Sequence, residues 1–536
     1  MEKTSDEVNK IVSIEYYFMV GFVLMTAISA YLSIFIPLNS FVLLSVVFIG
    51  LIVYRLNSIK LTEIFKRFYT SFTALENWEK SMLLAGVFFL VLVASNEIWV
   101  SDTKLYHAQN VQWIQQYAVV PGLGNFQPQL GYNNMFFPVT ALFSLELPFA
   151  YQNYDTLIYP FNGILISLLF LKIGSFIRTE LNRGDWWRAS FYVLIFGFCL
   201  LLFPKGLSSP APDYICGALV IYVFLMIEKQ GFNIPYDQSL YLSGVIIAAI
   251  IFKLSALLLG LLILPLIATN FTLKKLLSII GIALLIGLPF LIRNYYLSGY
   301  LIFPFPAIDL FSPEWKIANE IAEFEKLVIT SWAKIPDTNQ KTVGAMPFID
   351  WFKVWWGNKD LIWKPLLLAN LLVIFSIPIY LIKKKKQLAL LQLIILINLL
   401  FWFYNAPDPR FAFGFIFLGA SLSLCSFLLV FNLWKFLNKT LIISLFGLSV
   451  FASLFFHRTF IQDFFTTPMT WIIPKGLPPA KLIEKHTNFT YSMPVRPSTC
   501  HNTPLPCATR PLGYVVLRDS TDMQKGFKLI KGKKRK

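Results

Sequence analysis

An acid and a histidine, Asp102 and His107, stand close together in the hydrophilic stretch SDTKLYHAQNVQWIQQYAVVPGLGN, which follows an apolar run. A carboxylate at such a boundary either caps a helix by accepting backbone hydrogen bonds or takes a proton from a substrate hydroxyl. An imidazole is either a packed interfacial side chain or a base. Both residues are therefore predicted as candidate catalytic groups, with capping by Asp102 and packing of His107 as the alternatives.

Residues 103–118 of this stretch have the periodicity of a helix. At about 100° per residue, tyrosine, tryptophan and aliphatic side chains share one side and glutamines the other. We expect such a helix to lie flat in the membrane interface, with its aromatic side toward the lipid. Tyr106 and Trp113 on that side are candidates for stacking on a lipid or a sugar, with interfacial anchoring as the alternative.

Charged side chains from distant parts of the chain are predicted at the same membrane boundary. Lys253 interrupts the apolar run AIIFKLSALLL, where a lysine requires a cavity, a partner or a route to the interface. Asp213 follows the short loop GLSSPAP. The candidates for binding substrate or phosphate are Glu97, Lys253, Arg293, Asp408 and Arg410. Because cations suit a phosphate, the set indicates a phosphorylated substrate presented from the membrane; a simple Asp408–Arg410 pair is the alternative.

The elements that must hold these residues are membrane spans. The chain is 56% hydrophobic and 14% charged, whereas soluble domains have about a quarter charged residues. We predict an all-α polytopic membrane protein with a transmembrane domain over 1–457 and a small C-terminal region over 458–536. Thirteen transmembrane helices are expected near 17–37, 40–54, 81–100, 155–173, 189–204, 214–228, 239–253, 254–270, 277–297, 365–382, 388–404, 410–432 and 440–457.

The basic residues predict the orientation of these spans. Most lysines and arginines of the short loops, including Lys383–Lys386, are cytoplasmic if the N-terminus is cytoplasmic. The C-terminal region is then extracytoplasmic, where Cys500 and Cys507 have a spacing compatible with a disulfide. Outer loops 101–155 and 298–364 come out on that same side. The basic end KLIKGKKRK opposes this orientation, but long tails cross membranes largely regardless of charge.

Two function classes are excluded by charge and motif. The net charge of +17 resides largely in short loops between apolar runs, so it indicates membrane orientation and no nucleic-acid partner. The sequence has no glycine-rich loop followed by Lys-Ser or Lys-Thr of the kind that cradles phosphates. Nucleotide hydrolysis is therefore not expected to power the protein.

Four segments carry a family resemblance: SDTKLYHAQNVQWIQQYAVVPGLGNF, RNYYLSGYLIFP, NAPDPRF and CHNTPLPC. They resemble an uncharacterised bacterial branch of the GT-C class of integral-membrane glycosyltransferases. The resemblance implies a GT-C-like fold in the bacterial cytoplasmic (inner) membrane. It implies transfer of a sugar from a polyprenyl-phosphate donor to a glycan, lipid or protein acceptor outside. Asp102 would deprotonate the acceptor, and Arg293, Arg410 and Lys253 would hold the leaving phosphate in an inverting displacement.

One departure from the class affects the expected cofactors. Many members carry paired acids in the first motif, whereas Thr103 follows Asp102 here. A lone carboxylate is a weak divalent site, so no metal is favoured and no other cofactor is expected. Other functions stay open: a transporter or flippase of a lipid-linked or anionic solute, a non-catalytic scaffold, and a glycan ligase or polymerase. Internally repeated halves would favour the transporter, and none is visible.

Overall fold

The computed structural model describes residues 14–73, 77–146, 149, 154–467, 470, 473–495 and 499–530. The predicted cytoplasmic N-terminus, residues 1–13, and the last six residues of the basic C-terminal run lie outside the described residues. Within the described part the protein is a largely helical polytopic membrane protein, as an apolar chain in lipid requires.

The described residues in the first part of the chain form three apolar helices, one amphipathic helix, further short helices and one small two-stranded sheet. The Asn39 side chain accepts hydrogen bonds from the first backbone N–H groups of the second helix and so fixes its start. The elements are α1 (Ile14–Phe35), α2 (Ser40–Leu56), α3 (Ser58–Thr73), α4 (Asn77–Ala94), a π-helix (Thr103–His107), α5 (Ala108–Gln116), α6 (Leu123–Phe126), α7 (Phe136–Phe143), β1 (Leu145–Glu146) and β2 (Leu157–Ile158).

The middle of the chain is a series of long apolar helices. Gly184 ends the first of them in the left-handed conformation, at φ 71°, and Asp185 caps the next. The elements are α8 (Pro160–Arg183), α9 (Trp186–Leu202), α10 (Pro212–Gln230), α11 (Tyr236–Phe252), a 3₁₀ helix (Leu254–Leu262), α12 (Ile263–Ala268) and α13 (Leu273–Ser298).

The last part contains a helical hydrophilic loop, more apolar helices and a region with two hairpins. These hairpins, β3 with β4 and β5 with β6, were not predicted. The elements are α14 (Asn319–Lys334), α15 (Gln340–Ala345), α16 (Phe348–Gly357), α17 (Trp363–Leu371), α18 (Val373–Ile382), α19 (Lys386–Asn405), a 3₁₀ helix (Pro409–Ala412), α20 (Phe413–Val430), α21 (Lys439–Phe456), α22 (Arg458–Thr466), β3 (Leu482–His486), β4 (Thr490–Pro494), β5 (Val515–Leu517) and β6 (Phe527–Leu529).

Seven helices within the described ranges are long and apolar enough to cross a membrane, and α17 with α18, bent by 47°, can form an eighth span. Every predicted span overlaps helical residues, but α2, α11 and the 254–268 pieces are shorter. The multi-pass class is therefore shown, and the number of thirteen is not confirmed. α10 and most of α20 are buried on all sides and form the centre of the bundle.

The three long hydrophilic segments meet at one end of the bundle. The Asn125 side chain donates to the Trp315 carbonyl at 2.8 Å, which joins the first segment to the second. The Phe527 N–H donates to the Pro121 carbonyl at 2.9 Å, which joins the third segment to the first. Gly122 has φ +67°, and a Cβ there would lie 2.2 Å from the Phe527 carbonyl oxygen, so the close approach requires glycine. At the opposite end the basic connectors meet: Lys385 lies over the Trp187 ring.

Candidate functional site

One ion-pair network joins the first outer loop to the NAPDPRF segment. Arg410 uses Nε and Nη2, one edge of its guanidinium, to donate to Asp408 Oδ2 at 3.2 and 3.0 Å. Its Nη1 contacts Asp102 Oδ2 at 3.3 Å. The exposed fractions of the Arg410, Asp102 and Asp408 side chains are 26%, 27% and 17%. The alternative of a simple Asp408–Arg410 pair is therefore incomplete, because Arg410 also contacts Asp102.

Two tryptophans hold the segment that carries Asp408. The Trp402 indole donates to the Asp408 carbonyl at 2.7 Å, and the Trp355 indole donates to the Pro407 carbonyl at 2.7 Å. The Asp408 carboxylate also accepts the Arg410 backbone N–H at 2.9 Å and so caps the short 3₁₀ helix. The backbone on which Asp408 orients Arg410 is thus held by one tryptophan from α16 and one from α19.

A second ion pair, between Lys253 and Asp213, lies beside this network. α11 ends at Phe252, and Lys253 has an extended backbone before the chain resumes as a 3₁₀ helix, so the lysine stands at a helix break rather than inside a span. Its ammonium lies 3.7 Å from the centre of the Phe411 ring. A small cleft of about 10 Å³ lies here, lined by Asp213, Lys253 and Arg410 among others.

Asp102 is not a helix cap. It has helical backbone angles, φ −63° and ψ −26°, and its side chain accepts no hydrogen bond from the following turn. That turn is a π-helix, Thr103–His107, a rare form that often occurs at functional sites. The capping alternative is therefore wrong: the carboxylate contacts Arg410 and no backbone N–H of the following turn.

His107 is a buried, neutral side chain. Its Nδ1 is 3.1 Å from the Thr103 hydroxyl, which in turn bonds to the Ser209 hydroxyl, and its ring packs on Tyr106 and Phe137. Burial lowers the pKa of His107 to about 3. Because the ring is buried among these contacts and its basicity is poorly matched to neutral pH, the structure favours the packing alternative over the catalytic prediction.

Tyr106 lies between the two ion pairs and a third carboxylate. Burial raises the pKa of its phenol, with Asp102 and Asp213 adding to the effect. Its ring lies 6.0 Å from that of Tyr132, whose hydroxyl donates to Glu325 Oε2 at 2.8 Å. Tyr106 is thus a neutral hydrogen-bond donor beside the site, in a position compatible with its predicted contact to substrate.

Trp113 does not face lipid. Only 2% of its surface is exposed, and its ring contacts Tyr117, Phe126 and Phe527. The predicted flat surface helix is thus covered on its aromatic side by other outer segments, because the C-terminal region, whose position the sequence did not reveal, packs there. The structure does not bear out the prediction of a lipid or sugar contact for Trp113.

The glutamine side of α5 is also covered. Gln109 donates to the backbone carbonyls of His501 and Thr503 at 3.1 and 2.9 Å, and Gln112 donates to the Asn502 carbonyl at 2.9 Å. These carbonyls belong to a loop closed by a disulfide between Cys500 and Cys507. The His501 N–H also donates to the Lys104 carbonyl at 2.8 Å. The disulfide loop therefore holds the helical segment that follows Asp102.

Two predicted site residues lie outside the network. Glu97 pairs with Lys104 and accepts a hydrogen bond from the Tyr154 hydroxyl at 3.4 Å. Arg293 is buried in α13 and donates to the carbonyl and hydroxyl oxygens of Ser33 at 3.2 and 2.8 Å. No carboxylate of the described residues pairs with Arg293. The structure thus does not bring either residue to the Asp102–Arg410 pair.

Lys359 is a cation near the site that sequence reasoning missed. Its ammonium lies 4.8 Å from the centre of the Trp355 ring, whose indole binds the Pro407 carbonyl next to Asp408. Burial lowers the pKa of Lys359, while Asp408 opposes this effect. The one sequence signal was its place in WWGNKD, directly after a tryptophan-rich helical run in the second outer loop.

The assembled site is a compact set of opposite charges. Asp102, Asp213 and Asp408 supply the carboxylates, and Lys253 and Arg410 supply cations that contact them. Within the part of the chain that the structure describes, no group of three or more His, Cys, Asp or Glu side chains is arranged to hold a metal ion. The arrangement is suited to binding an anion beside an ionised carboxylate.

A comparison with known families gives one match. The family described as a domain of unknown function, DUF8201, matches residues 3–417, which include every member of the ion-pair network. Residues 418–536, with most of α20 and the C-terminal hairpins, lie beyond the match. No curated protein and no solved structure matches the chain. Since the match covers well over half of the sequence, the chain belongs to the DUF8201 family.

Proposed function

We propose that the protein is a membrane glycosyltransferase of the GT-C type. It moves a sugar from a polyprenyl-phosphate donor to an acceptor on the extracytoplasmic side of the membrane. The observation that carries this proposal is the contact of Asp102 with Arg410, which puts a carboxyl group and a guanidinium side by side at the end of the bundle where all three hydrophilic segments meet.

The partners of Arg410 support a division of labour in this site. Asp408 occupies the Nε and Nη2 edge and fixes the guanidinium, while the longer contact to Asp102 leaves Nη1 available to a phosphate oxygen. Lys253 supplies a second cation next to the cleft. When a lipid phosphate binds Nη1, it weakens the hold on Asp102 and frees that carboxylate to act as a base.

The proposed reaction is an inverting displacement. Asp102 takes the proton of the acceptor hydroxyl, the acceptor oxygen bonds to the anomeric carbon, and the bond from that carbon to the phosphate oxygen breaks. Arg410 and Lys253 stabilise the charge on the departing polyprenyl phosphate. Positioning of both substrates between the outer loops supplies much of the remaining acceleration.

The proposed setting is the bacterial inner membrane. Thirteen crossings, with the shorter helices completing the count, leave the N-terminus cytoplasmic and the C-terminal region outside. The Cys500–Cys507 disulfide supports an oxidising compartment for that region. The contact between Lys385 and Trp187 at the opposite end supports a cytoplasmic side made of basic connectors.

The test is complementation of a deletion strain. Wild type, Asp102→Asn and the control Asp519→Asn, an exposed acid of the C-terminal region, are expressed at equal membrane levels. Mass spectrometry then measures surface glycans and lipid-linked sugars. We expect wild type and the control to restore a missing sugar, and Asp102→Asn to restore less than about one hundredth of it while lipid-linked sugar accumulates. Full restoration by Asp102→Asn would refute the proposal and favour a transporter or scaffold.

A further inference from the structure

The two cations at the centre of the site already have carboxylate partners. Lys253 is paired with Asp213, and Arg410 is bound on one edge by Asp408 and contacts Asp102 with another nitrogen. An incoming anion must therefore compete with a carboxylate at each of them. A cation near the site without such a partner is the better first contact for a substrate phosphate.

Lys359 is such a cation. No carboxylate of the described residues lies within ion-pair distance of its ammonium, although Asp360 follows it directly. Its only close contact of note is the face of the Trp355 ring, at 4.8 Å. An ammonium over an aromatic face is attracted to the ring and, with three N–H donors, retains capacity to bind a ligand anion.

The position of Lys359 is fixed relative to Arg410 by hydrogen bonds. The Trp355 indole donates to the Pro407 carbonyl at 2.7 Å, and the next residue, Asp408, binds the guanidinium of Arg410. Trp355 is buried, with 2% of its surface exposed, so the ring that Lys359 contacts is itself packed in place next to the 405–410 turn. The lysine itself is half-buried and accessible.

The charges around Lys359 also favour a bound phosphate. Asp408 and Arg410 both act on Lys359, the first favouring and the second opposing its charge, and burial lowers its pKa. A phosphate bound between Lys359 and Arg410 would replace lost hydration of the ammonium and offset the repulsion between the two cations.

We propose that Lys359 is a substrate-binding residue that captures the phosphate of the membrane lipid and delivers it to Arg410. The inference rests on the proposed function and deepens it, because it assigns to the second outer loop a role in binding the donor. Lys359 and Arg410 then hold the phosphate from the loop side and Lys253 from the cleft side. The lipid headgroup, rather than free phosphate, is the expected source of this anion.

The experiment measures lipid binding to the full chain in nanodiscs by native mass spectrometry. The probes are undecaprenyl phosphate, the neutral alcohol undecaprenol, and inorganic phosphate as a competitor. The variants are Lys359→Gln, Lys359→Arg and the control Lys353→Gln, an exposed lysine on α16. A melting curve without added lipid verifies that each variant is folded.

We expect wild type, Lys353→Gln and Lys359→Arg to prefer undecaprenyl phosphate to undecaprenol, and Lys359→Gln to bind the phosphate lipid roughly 10-fold more weakly. Equal binding by a folded Lys359→Gln would overturn the inference and leave the proposed function standing. If wild type does not distinguish the phosphate from the alcohol, the proposed function itself fails. Displacement of the lipid by inorganic phosphate at similar concentration would show that the site takes free phosphate and overturn the lipid assignment.

Discussion

At the scale of single residues, the site depends on how one guanidinium is shared. Arginine has donors on two edges of a planar group, so Arg410 can bind Asp408 with Nε and Nη2 and still contact Asp102 with Nη1. A lysine has a single compact ammonium without planar edges, so it cannot reproduce this pair of contacts in the same geometry. The planar shape of the Arg410 side chain, and not only its charge, is therefore expected to be required for activity.

This argument predicts the behaviour of Arg410→Lys. We expect it to lower sugar transfer by about 10- to 100-fold, nearly as much as Arg410→Gln, because an ammonium lacks the planar fork that holds Asp408 on one edge and presents Nη1 to a phosphate on another. The measurement is recovery of the missing surface sugar in the deletion strain at matched protein levels. Wild-type recovery with Arg410→Lys would mean that position 410 contributes charge alone.

The sequence predicted which charged residues lie at the membrane boundary, but not which residues they contact. Asp102, Lys253, Asp408 and Arg410 were predicted at one boundary because each interrupts or borders an apolar run, and the structure brings these four together. Arg293 has the same signature, yet it donates to Ser33 of α1. Which helix lies beside a buried arginine is a matter of tertiary packing, and a single sequence does not encode it in any local pattern.

At the scale of elements, α5 was recognised as a helix but its surroundings were misjudged. Glutamines were read as a face toward water, whereas Gln109 and Gln112 bind the carbonyls of the disulfide loop. An amide pairs with a backbone carbonyl as readily as with water. The C-terminal hairpins also escaped prediction, because strands of three to five residues leave a weak alternating pattern.

The contact between α5 and the disulfide loop gives a stability prediction. Gln109→Ala removes two hydrogen bonds from buried carbonyls of His501 and Thr503, which we expect to cost about 1–3 kcal/mol. Gln116→Ala, on the same helix but exposed, is the matched control and should be neutral. Thermal melting in detergent is the measurement. Equal melting temperatures for the two variants would contradict the inference that the Gln109 hydrogen bonds to the disulfide loop stabilise the protein.

The contact of Asp155 with the backbone of Leu477 predicts that the stability of the protein depends on pH. Asp155, which precedes β2, accepts the Leu477 N–H at 2.9 Å, and burial raises the pKa of its carboxyl from 3.8 to about 6. Its contribution to stability is therefore complete below about pH 4 and is lost as the pH rises through 6. The loss at pH 7.5 is on the order of 3 kcal/mol.

Asp155→Asn tests this titration, because the amide stays neutral and its oxygen still accepts the Leu477 N–H. Because about half of this loss, on the order of 1.5 kcal/mol, falls between pH 5 and pH 7.5, we expect the melting temperature of wild type to fall by roughly 1–3 °C in that interval and that of Asp155→Asn to fall less. Asp519→Asn, whose carboxylate is exposed, serves as the control and should follow wild type. Parallel curves for wild type and Asp155→Asn would exclude Asp155 as the titrating group.

At the scale of the whole molecule, the two ends of the helical bundle differ in the length and charge of the segments they carry. One end carries the hydrophilic segments, tied together by contacts such as Asn125 to the Trp315 carbonyl at 2.8 Å. The other end has short connectors, with ion pairs such as Lys229 to Glu180. Hydropathy and loop charge were enough to predict this polarity, whereas helix ends and the number of crossings depend on bends such as the one between α17 and α18.

The polarity predicts the sides of the membrane on which single cysteines react. The free cysteines Cys199, Cys216 and Cys425 are buried, and Cys500 is bonded to Cys507, so wild type should give little signal with a maleimide. We expect Ser520→Cys, exposed in the C-terminal region, to react with a membrane-impermeant maleimide in intact spheroplasts. Lys383→Cys, exposed in the basic connector, should react only after permeabilisation, because the positive-inside rule assigns that connector to the cytoplasm. The reverse pattern would invert the orientation and move the Asp102–Arg410 site to the cytoplasmic face, where an extracytoplasmic acceptor could not reach it.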